Sequence, residues 1–475
     1  MTRDSADGLL WAPRARLPDG WREDVVLRIR EGHWAEVSPG VATAPAGAHV
    51  LDGALLPSLV DAHSHAFQRA FVGAVETRAG GHDDFWSWRD RMYDVARRVT
   101  PAQLRAIAAH LYVELLRGGY TQVCEFHYLR RDVDGSEYAD PLAMSWALAD
   151  AAADAGIGVT ILPVLYERAG FAAQGLRVEQ RRFRASPTDV VGAARTIVSA
   201  RRPLVDAGLA IHSLRAASAD AIDALRRLAA DVAGPIHIHV AEQAGEVDEC
   251  LRVHGVRPIE WLARRGALDR RWQLVHATHA VGGEIEAVAR SGAAVVVCPS
   301  TEANLGDGIC DLPAWLAAGV AISIGSDSHV TRDWREELRL LEYGQRLALR
   351  RRNVAAAPEG GVASSAERLF ARTTTASAAA AGLRSWGLVA GARADALVAD
   401  PLDPALRGVA SERLLDALVF SSPTLPWRDV LVAGQWRVRA GRHRAAAAIA
   451  DRFAVALAEL GGSESQSAAA GSAAA

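Results

Sequence analysis

The chain is 475 residues long, with 50% hydrophobic and 23% charged residues, as in an average soluble globular protein; this excludes disordered, collagen-like and membrane-spanning classes. Its 53 basic and 56 acidic residues give a formal charge of -3, so no general attraction to nucleic acid or to an anionic membrane is expected. The length suits one large barrel of about 250 to 400 residues with a smaller appended module.

Lysine and cysteine usage narrows the possible chemistry. The sequence contains no lysine, so no Schiff-base amine is available and every fixed cation is an arginine. The four cysteines, Cys124, Cys250, Cys298 and Cys310, form no CxxC pair, which argues against a disulfide framework and against a cysteine-rich zinc site. The first residues lack the apolar core of a signal peptide. We therefore expect a cytoplasmic protein with reduced thiols.

The two ends of the chain have a similar texture of short strands. Strand-like runs at residues 8–11, 25–29 and 34–37 are separated by Pro-Asp-Gly and Pro-Gly turn signals. The same texture returns after residue 387, where VLVAGQWRV predicts two strands around an Ala-Gly turn. Neither end is long enough to form a core alone. The sequence therefore predicts one small β-sandwich domain made from residues 1–56 and 387–450.

Between these ends, apolar strand-like runs alternate with helical segments. Eight such runs occur in order: LLPSLVDAHSH, TQVCEFHY, GVTILPVLY, LAIHSLR, PIHIHVAE, WQLVHATH, AAVVVCPS and VAISIGSDSH. Eight alternating units favour a closed (β/α)8 barrel over residues 57–386, with catalytic side chains at the carboxyl ends of the strands. Residues 461–475 are of low complexity and predict a disordered tail.

The first candidate site is the sequence His63-Ser64-His65 at the end of a predicted strand. Residues two apart in a strand point to the same side, so both imidazoles can face one metal ion. Short motifs of this kind also occur by chance. The alternative is therefore two polar residues that merely end a strand.

A second candidate is His237-Ile238-His239, followed by Glu242. We favour His239 as the metal ligand because it lies at the end of the apolar run, whereas His237 could be an ordinary buried histidine. Glu242 follows within one turn, where a carboxylate can take a proton from a water and return it. Its alternative role is that of an acidic residue at a helix N-terminus.

His276 and Asp327 end two further apolar runs. Each alone could be a core or capping residue. Together with the HxH pair and His239, they give histidine nitrogens and one carboxylate, which suit Zn²⁺ with a water completing its shell. The order of these residues on alternating runs favours a metal-dependent hydrolase.

These strand-end residues, together with the split β domain, resemble the amidohydrolase superfamily over residues 1–450. Many members with two metals use a carboxylated lysine, which this sequence lacks. The chain therefore looks like the mononuclear deaminase subgroup, which implies one zinc ion per chain.

Eight blocks in order resemble more specifically the family of N-formimidoyl-L-glutamate deiminases, which act in histidine degradation. The blocks are HSHAFQRAF, FWSWRDRMY, CEFHYLRRD, HSLRA, IHIHVAEQ, LVHATHA, STEANLGDG and IGSDSHV. The resemblance implies a homodimer, metal ligands at His63, His65, His239 and Asp327, proton-transfer and polarising roles for Glu242 and His276, and a substrate pocket of Gln68, Arg89, Tyr128, His212 and Arg215. One departure is Arg130-Arg131, which follow the EFHY block where members of this family often carry two histidines; no role is assigned to this pair.

The arginines support that substrate independently. N-formimidoyl-L-glutamate carries two carboxylates, which the planar forks of Arg89 and Arg215 could hold; the alternative for Arg89 is a packed lid with its charge in water. The expected reaction is water attack on the formimidoyl carbon, with Asp327 and Glu242 orienting and deprotonating the water and His276 stabilising the tetrahedral intermediate. Rival functions are a deaminase of the guanine, pterin or adenosyl-thioether type, and a non-catalytic scaffold that has lost its metal.

Overall fold

The computed structural model describes residues 7–77 and 85–472, and the strands within these ranges form two sheets. The N-terminal part contributes β1 (Gly8–Leu17), β2 (Gly20–Arg30), β3 (His33–Ser38), β4 (His49–Val50) and β5 (Leu55–Leu56). The middle part contains β6 (Leu59–Ser64), β7 (Tyr120–His127), β8 (Gly158–Leu165), β9 (Val205–Ala207), β10 (Leu209–Ile211), β11 (Ile236–Val240), β12 (Trp272–His276), β13 (Ala294–Val297) and β14 (Ala321–Ile324). The C-terminal part adds β15 (Ala396–Ala399), β16 (Trp427–Val432), β17 (Gln435–Arg439) and β18 (Arg442–His443).

The helices of the described residues lie mainly between the strands of the middle part. They are α1 (Phe85–Ala96), α2 (Pro101–Arg117), α3 (Ala143–Ala155), α4 (Pro187–Ser199), α5 (Ala219–Leu228), α6 (Ala244–His254), α7 (Pro258–Arg264), α8 (Gly282–Ser291), α9 (Pro299–Leu305), α10 (Leu312–Ala317), α11 (Trp334–Leu349), α12 (Ser365–Ala381), α13 (Leu414–Phe420) and α14 (Ala446–Ser472). Short 3-10 helices span Ala66–Ala70, Val178–Phe183, Pro358–Gly360 and Ser411–Arg413.

The middle strands form the predicted parallel (β/α)8 barrel. The order β6-β7-β8-β10-β11-β12-β13-β14 follows the chain, and β9 pairs with β8, so β9 and β10 make up one interrupted barrel strand. Gly208 lies at the interruption, where a side-chain Cβ would come within 2.7 Å of Leu162 Cδ2 and 2.8 Å of the Pro235 carbonyl oxygen. A glycine there lets the neighbouring strands approach each other closely.

The last strand returns to the first at the carboxyl end of the barrel. The Asp327 N–H donates to the His63 carbonyl at 2.9 Å, and the His65 N–H donates to the Asp327 carbonyl at 3.3 Å. Gly325 precedes this contact, and a Cβ at that position would lie 2.6 Å from His63 Cβ. Closure of the barrel therefore brings the HxH pair and the aspartate together at the same edge.

The second sheet is built from both ends of the chain, as the sequence predicted. Its order is β18-β17-β16-β15-β5-β1-β2-β3, with β4 on β1, so the predicted small domain is formed by one continuous hydrogen-bonded sheet. The predicted Ala-Gly turn joins β16 to β17 through Ala433 and Gly434, both with positive φ (48° and 74°), as a type I′ hairpin turn requires. Strands β1 and β2 are longer than the runs predicted from sequence because their antiparallel pairing continues to Leu17 and Gly20.

The limits of the two domains stay a proposal. Strand β5 ends at Leu56 and β6 begins at Leu59, so we retain 1–56, 57–386 and 387–450 as the proposed division. Helix α14 continues to Ser472; the disordered tail predicted over 461–475 stays a prediction, and residues 473–475 lie outside the described residues. Alanine, frequent in that segment, has the highest helix propensity. No helix of the described residues combines the length and apolar character needed to span a bilayer.

Candidate active site

The floor of the site is formed by His63 and His65. His63 lies in β6 and His65 directly after it, so both side chains face the barrel mouth. Their Nε2 atoms are 3.1 Å apart, and His239, from the end of β11, places its Nε2 atom 2.9 Å from that of His63. Asp327 Oδ1 lies 3.5 Å and 3.4 Å from the Nε2 atoms of His63 and His65. Three barrel strands thus bring four potential ligand atoms to one point.

Hydrogen bonds fix which nitrogen of two histidines faces that point. The Nδ1 atom of His65 lies 3.0 Å from the Phe126 carbonyl, and that of His239 lies 2.9 Å from the His212 carbonyl. A carbonyl only accepts, so each Nδ1 carries the proton and each Nε2 presents a lone pair to the centre. Such converging lone pairs beside a carboxylate fit a divalent cation of the zinc type.

Burial favours the uncharged form of these imidazoles. Removal from water lowers the pKa of His63 and His239 well below the usual value, and it also lowers the pKa of His65. A neutral imidazole is the form that binds a metal. The described residues contain ligand groups His63–His239–His276 and His63–His65–Asp327 whose donor atoms lie within 4.8 Å of one another.

His237 and His239 have different surroundings, although both belong to β11. His237 is fully buried, and its Nε2 lies 2.9 Å from the Ala380 carbonyl near the end of α12. Residues two apart in a regular strand point to the same face, so the two imidazoles differ in their position along β11 and in their contacts. The contacts support His239 as the ligand and His237 as a core histidine.

Several strand ends adopt left-handed backbone conformations. His276 has a φ of 66° and Asp327 a φ of 49°, and Ala241, just before Glu242, has a φ of 51°. Such conformations cost about 1 to 3 kcal/mol for residues other than glycine and gather at functional sites. Here each turns the chain out of a barrel strand next to a predicted site residue.

Glu242, His276 and Asp327 form the next layer above the floor. His276 Nε2 lies 3.8 Å from Glu242 Oε1 and 3.7 Å from Asp327 Oδ2. Although burial alone would lower the pKa of His276, the carboxylates of Glu242, Asp327 and Glu302 raise it to about 10. The Glu242 carboxyl is itself buried, which raises its pKa. The geometry thus pairs a protonated imidazole with a carboxyl group suited to exchange protons.

Glu302 is a site residue that the sequence reasoning missed. It lies in α9, and its Oε1 is 3.3 Å from His276 Nδ1 and 2.9 Å from the Cys298 N–H. The acceptor on Nδ1 directs Nε2 of His276 toward the cavity. In the sequence, Glu302 belongs to the STEANLGDG block, which resembles the family. The signal that could have identified it is a glutamate placed shortly after an apolar strand-like run.

A cavity opens above this floor. Its lining includes nearly all the sequence-predicted site residues: His65, Gln68, Arg89, Tyr128, His212, Arg215, His239, Glu242, His276 and Asp327. His63, which is fully buried, lies beneath it. The Gln68 amide is 3.5 Å from the Tyr128 hydroxyl, so these two predicted pocket residues are neighbours.

The two predicted arginines both lie close to the indole ring of Trp86. The guanidinium carbons of Arg89 and Arg215 are 4.6 Å and 5.5 Å from the ring centre of Trp86. Arg215 Nη2 is also 3.6 Å from Glu242 Oε2, which places it toward the proton-transfer layer. Both side chains are largely removed from water, with 17% and 9% exposure. Two guanidinium groups in one cavity suit a ligand with two carboxylates.

Arg130 and Arg131 lie outside this cavity. Arg130 forms ion pairs of 3.2 Å with Glu137 and with Asp189, and Arg131 lies 3.0 Å from Glu137. Arg131 also donates to the Arg184 carbonyl at 3.1 Å. The pair that departs from the expected histidines therefore ties together the loops after β7 and β8.

Three further lining or supporting residues have no clear sequence signal. Tyr93 follows Arg89 by one helical turn in α1, Tyr166 lies just after β8, and Gln180 belongs to the 3-10 helix Val178–Phe183. Gln180 Nε2 donates to the hydroxyl oxygens of Tyr93 at 3.0 Å and Tyr166 at 2.9 Å. These three residues lie in separate elements of the chain, and only the folded structure brings them together.

Comparison with known proteins agrees with this geometry. The model of the amidohydrolase family matches residues 54–437, and the chain belongs to this family. It is 44% identical to a formimidoylglutamate deiminase of Pseudomonas aeruginosa over 461 residues, which cover 95% of this chain and 99% of the relative.

Solved structures show the same fold. An amidohydrolase from Brucella melitensis superposes with a TM-score of 0.90 at 39% identity, covering 95% of this chain and 99% of the other. An adenosine deaminase from Xanthomonas campestris, solved with bound zinc, superposes with a TM-score of 0.79 at 21% identity, covering 96% and 98%.

Proposed function

We propose that the chain is a zinc-dependent hydrolase that converts N-formimidoyl-L-glutamate and water to N-formyl-L-glutamate and ammonia, a step of histidine degradation. The observation that carries this proposal is a single cavity with a histidine–aspartate ligand set at its floor and two largely buried arginines, Arg89 and Arg215, in its walls. The relative named formimidoylglutamate deiminase, 44% identical over nearly the whole chain, supports the same substrate.

One zinc ion per chain would be held by His63, His65, His239 and Asp327. The fixed tautomers of His65 and His239, the depressed histidine pKa values and the adjacent carboxylate support this choice, as does the zinc in the adenosine deaminase that shares the fold. Zinc bound there supplies Lewis acidity that makes water a good nucleophile near neutral pH.

The chain's own groups move the protons. Asp327 orients the attacking water, and Glu242 takes its proton as the oxygen adds to the formimidoyl carbon. Glu242 delivers this proton, and then the remaining proton of the added hydroxyl, to the nitrogen that leaves as ammonia, so that the C=N double bond is replaced by the C=O double bond of the formyl group. The protonated His276, held by Glu302, donates to the oxygen on the reacting carbon and stabilises the charge developing there.

The remaining pocket residues hold the substrate. Arg215, 3.6 Å from Glu242, binds the carboxylate nearer the reacting carbon, and Arg89 on α1 binds the other. Gln68, Tyr128 and His212 contact the polar atoms between them. A cytoplasmic location, expected from the scattered cysteines, and a homodimer, implied by the family resemblance, complete the proposal.

Ammonia release from N-formimidoyl-L-glutamate, measured beside guanine and N-formimidoyl-L-aspartate, tests the assignment. We expect the glutamate derivative to give the highest kcat/KM, the aspartate derivative a lower value because its carboxylates are closer together, and guanine none. Preferred turnover of guanine, of a pterin or of an adenosyl thioether would contradict the proposal. Zinc-loaded protein without activity toward any of them would favour the non-catalytic scaffold.

A further inference from the structure

Arg215 lies on a buried turn beyond the end of a barrel strand. The pairing of β10 with β8 and β11 stops before this turn, which spans residues 213–217. Within the turn, the N–H groups of Ala216 and Ala217 donate to the Ser213 carbonyl at 3.1 Å and 3.2 Å, and all five residues are buried. Because the turn lies outside the barrel ladder, the position of the Arg215 guanidinium depends on the segments that pack against it.

The side chain of Arg168 bridges the two ends of this turn. Arg168 lies in the loop after β8, outside the described lining of the cavity. Its Nη2 atom donates to the Leu214 carbonyl at 2.8 Å and to the Ala217 carbonyl at 2.9 Å, and its Nη1 atom donates to the Phe171 carbonyl at 3.1 Å. The hydrogens of a guanidinium nitrogen have fixed directions in the plane of the group. They therefore set the spacing of the two carbonyls between which Arg215 lies.

The backbone of the same loop docks the middle of the turn. The N–H groups of Glu167 and Arg168 donate to the Ala216 carbonyl at 2.9 Å and 3.2 Å. The Ser218 N–H, just after the turn, donates to the Glu167 carboxylate at 2.7 Å. The loop after β8 thus holds the turn through its backbone at the centre and through the Arg168 side chain at both ends.

These contacts use the hydrogen-bond donors of Arg168 rather than an ion pair. In the described part of the chain, the side-chain hydrogen bonds of Arg168 end on backbone carbonyl oxygens, which only accept. The geometry is therefore that of a group that fixes the backbone of its neighbours rather than one that neutralises a carboxylate.

The exact position of Arg215 matters for its proposed contact with the substrate. Charge-assisted hydrogen bonds to a carboxylate are short and directional, and a displacement of about 1 Å can cost about 100-fold in rate. Arg215 Nη2 lies 3.6 Å from Glu242 Oε2, and its guanidinium carbon lies 5.5 Å from the ring centre of Trp86. Its place beside these two groups depends on a fixed turn.

We propose that Arg168 is a positioning residue that bridges the carbonyls of Leu214 and Ala217 and thereby fixes the turn that presents Arg215 to a substrate carboxylate. The inference rests on the proposed function, because it assumes that Arg215 binds a carboxylate. It adds to that function a residue outside the cavity that determines selectivity for substrates with this charge.

Arg168→Met removes the bridge and keeps much of the side-chain volume. For N-formimidoyl-L-glutamate we expect kcat/KM to fall about 10- to 100-fold, because Arg215 is no longer held in place. For an uncharged formimidoyl amine we expect a change of less than about threefold, because that compound makes no carboxylate contact that could be lost. Equal losses on both compounds, or no loss on either, would overturn the proposal.

A double-mutant cycle tests whether Arg168 acts through Arg215. When Arg168→Met is added to Arg215→Met, kcat/KM for N-formimidoyl-L-glutamate should fall by less than about threefold, far below the effect of Arg168→Met alone. A general weakening of the fold, or a direct effect of the Arg168 charge on the substrate, would persist without Arg215. Full additivity of the two losses would therefore overturn the positioning role.

Arg339→Met is the matched control. Arg339 is half-buried on α11, like Arg168 in its loop, and donates to the carbonyls of Val419 and Ser422, outside the described lining of the cavity. We expect both single variants to lower the melting temperature by a similar amount, but Arg339→Met should keep kcat/KM for both compounds within about twofold of wild type. A selective loss in Arg339→Met equal to that of Arg168→Met would overturn the proposal, since any lost carbonyl support would then have the same effect.

Calorimetric binding of the product separates this inference from the proposed function. N-formyl-L-glutamate should bind the zinc-loaded wild type and Arg339→Met alike, and Arg168→Met should weaken it about 10- to 100-fold. If the three proteins bind in this way but the wild type releases no ammonia from the formimidoyl compound, only the proposed reaction is wrong. If the wild type turns over the substrate and the two variants behave alike, only the positioning role is wrong. If the wild type neither binds the product nor turns over the substrate, both are overturned.

Discussion

The floor and the wall of the cavity are built in different ways. The floor side chains, such as His63, His239 and Asp327, come from the carboxyl ends of barrel strands, whose spacing is set by backbone ladders. The wall side chains come from α1, from the loop after β10 and from a 3-10 helix, which are joined by side-chain hydrogen bonds and by packing on Trp86. The comparison teaches that the candidate metal ligands lie on the rigid barrel, whereas the candidate carboxylate-binding arginines lie on a helix and a loop, which are the more variable elements of such folds.

The largest expected effect on turnover comes from removing the metal at the floor of the cavity. Removing the metal with a chelator should abolish turnover, because no residue of the site replaces the Lewis acid. One equivalent of Zn²⁺ should restore it, since the four ligands suffice for a single ion. Elemental analysis against recovered activity gives the stoichiometry. Full activity only at two equivalents per chain would contradict a mononuclear site.

Glu242→Gln should separate proton transfer from metal binding. The amide keeps the shape of the side chain but cannot shuttle a proton, so kcat should fall about 10²- to 10⁴-fold. Metal content should stay at the wild-type level because Glu242 is not one of the proposed ligands. The measurement is steady-state kinetics on protein of known zinc content, and an active zinc-loaded variant would refute the role.

Arg215→Met tests the contact that the cavity wall makes with a substrate carboxylate. Loss of a charge-assisted contact in a desolvated pocket costs roughly 2 to 5 kcal/mol, which corresponds to about a 30-fold to several thousand-fold loss in kcat/KM for N-formimidoyl-L-glutamate. An uncharged formimidoyl amine provides the control, because the variant should lose much less activity toward it. Equal losses on both compounds would show that Arg215 supports Glu242 or the fold rather than a carboxylate.

The smallest effect is expected outside the cavity. Arg130→Met breaks the ion pairs with Glu137 and Asp189, whose side chains are 47% and 30% exposed, and such pairs contribute little to stability. We expect kcat/KM within about twofold of wild type and a slightly lower melting temperature. A loss comparable to that of Arg215→Met would show that the wall depends on the loops that Arg130 ties together.

The sequence by itself determined the barrel and most of its floor. Eight alternating runs predicted the strands, and a period of two placed His63 and His65 on one side of β6, because both features depend on local backbone geometry. The family relationship likewise came from short blocks at strand ends. The separation of His237 from His239 was favoured in sequence by the end of the apolar run, and the two sets of contacts support that choice.

Only the tertiary structure decided what supports and completes the site. Glu302 reaches His276 from α9, which follows the neighbouring strand β13, and Gln180 joins Tyr93 to Tyr166 from a segment that has no recognisable period. No local pattern encodes such contacts, because they connect residues far apart in the chain and depend on how helices and loops pack on the barrel. Backbone geometry repeats along a strand and can be predicted from its spacing, whereas a hydrogen bond between distant side chains exists only once the chain has folded.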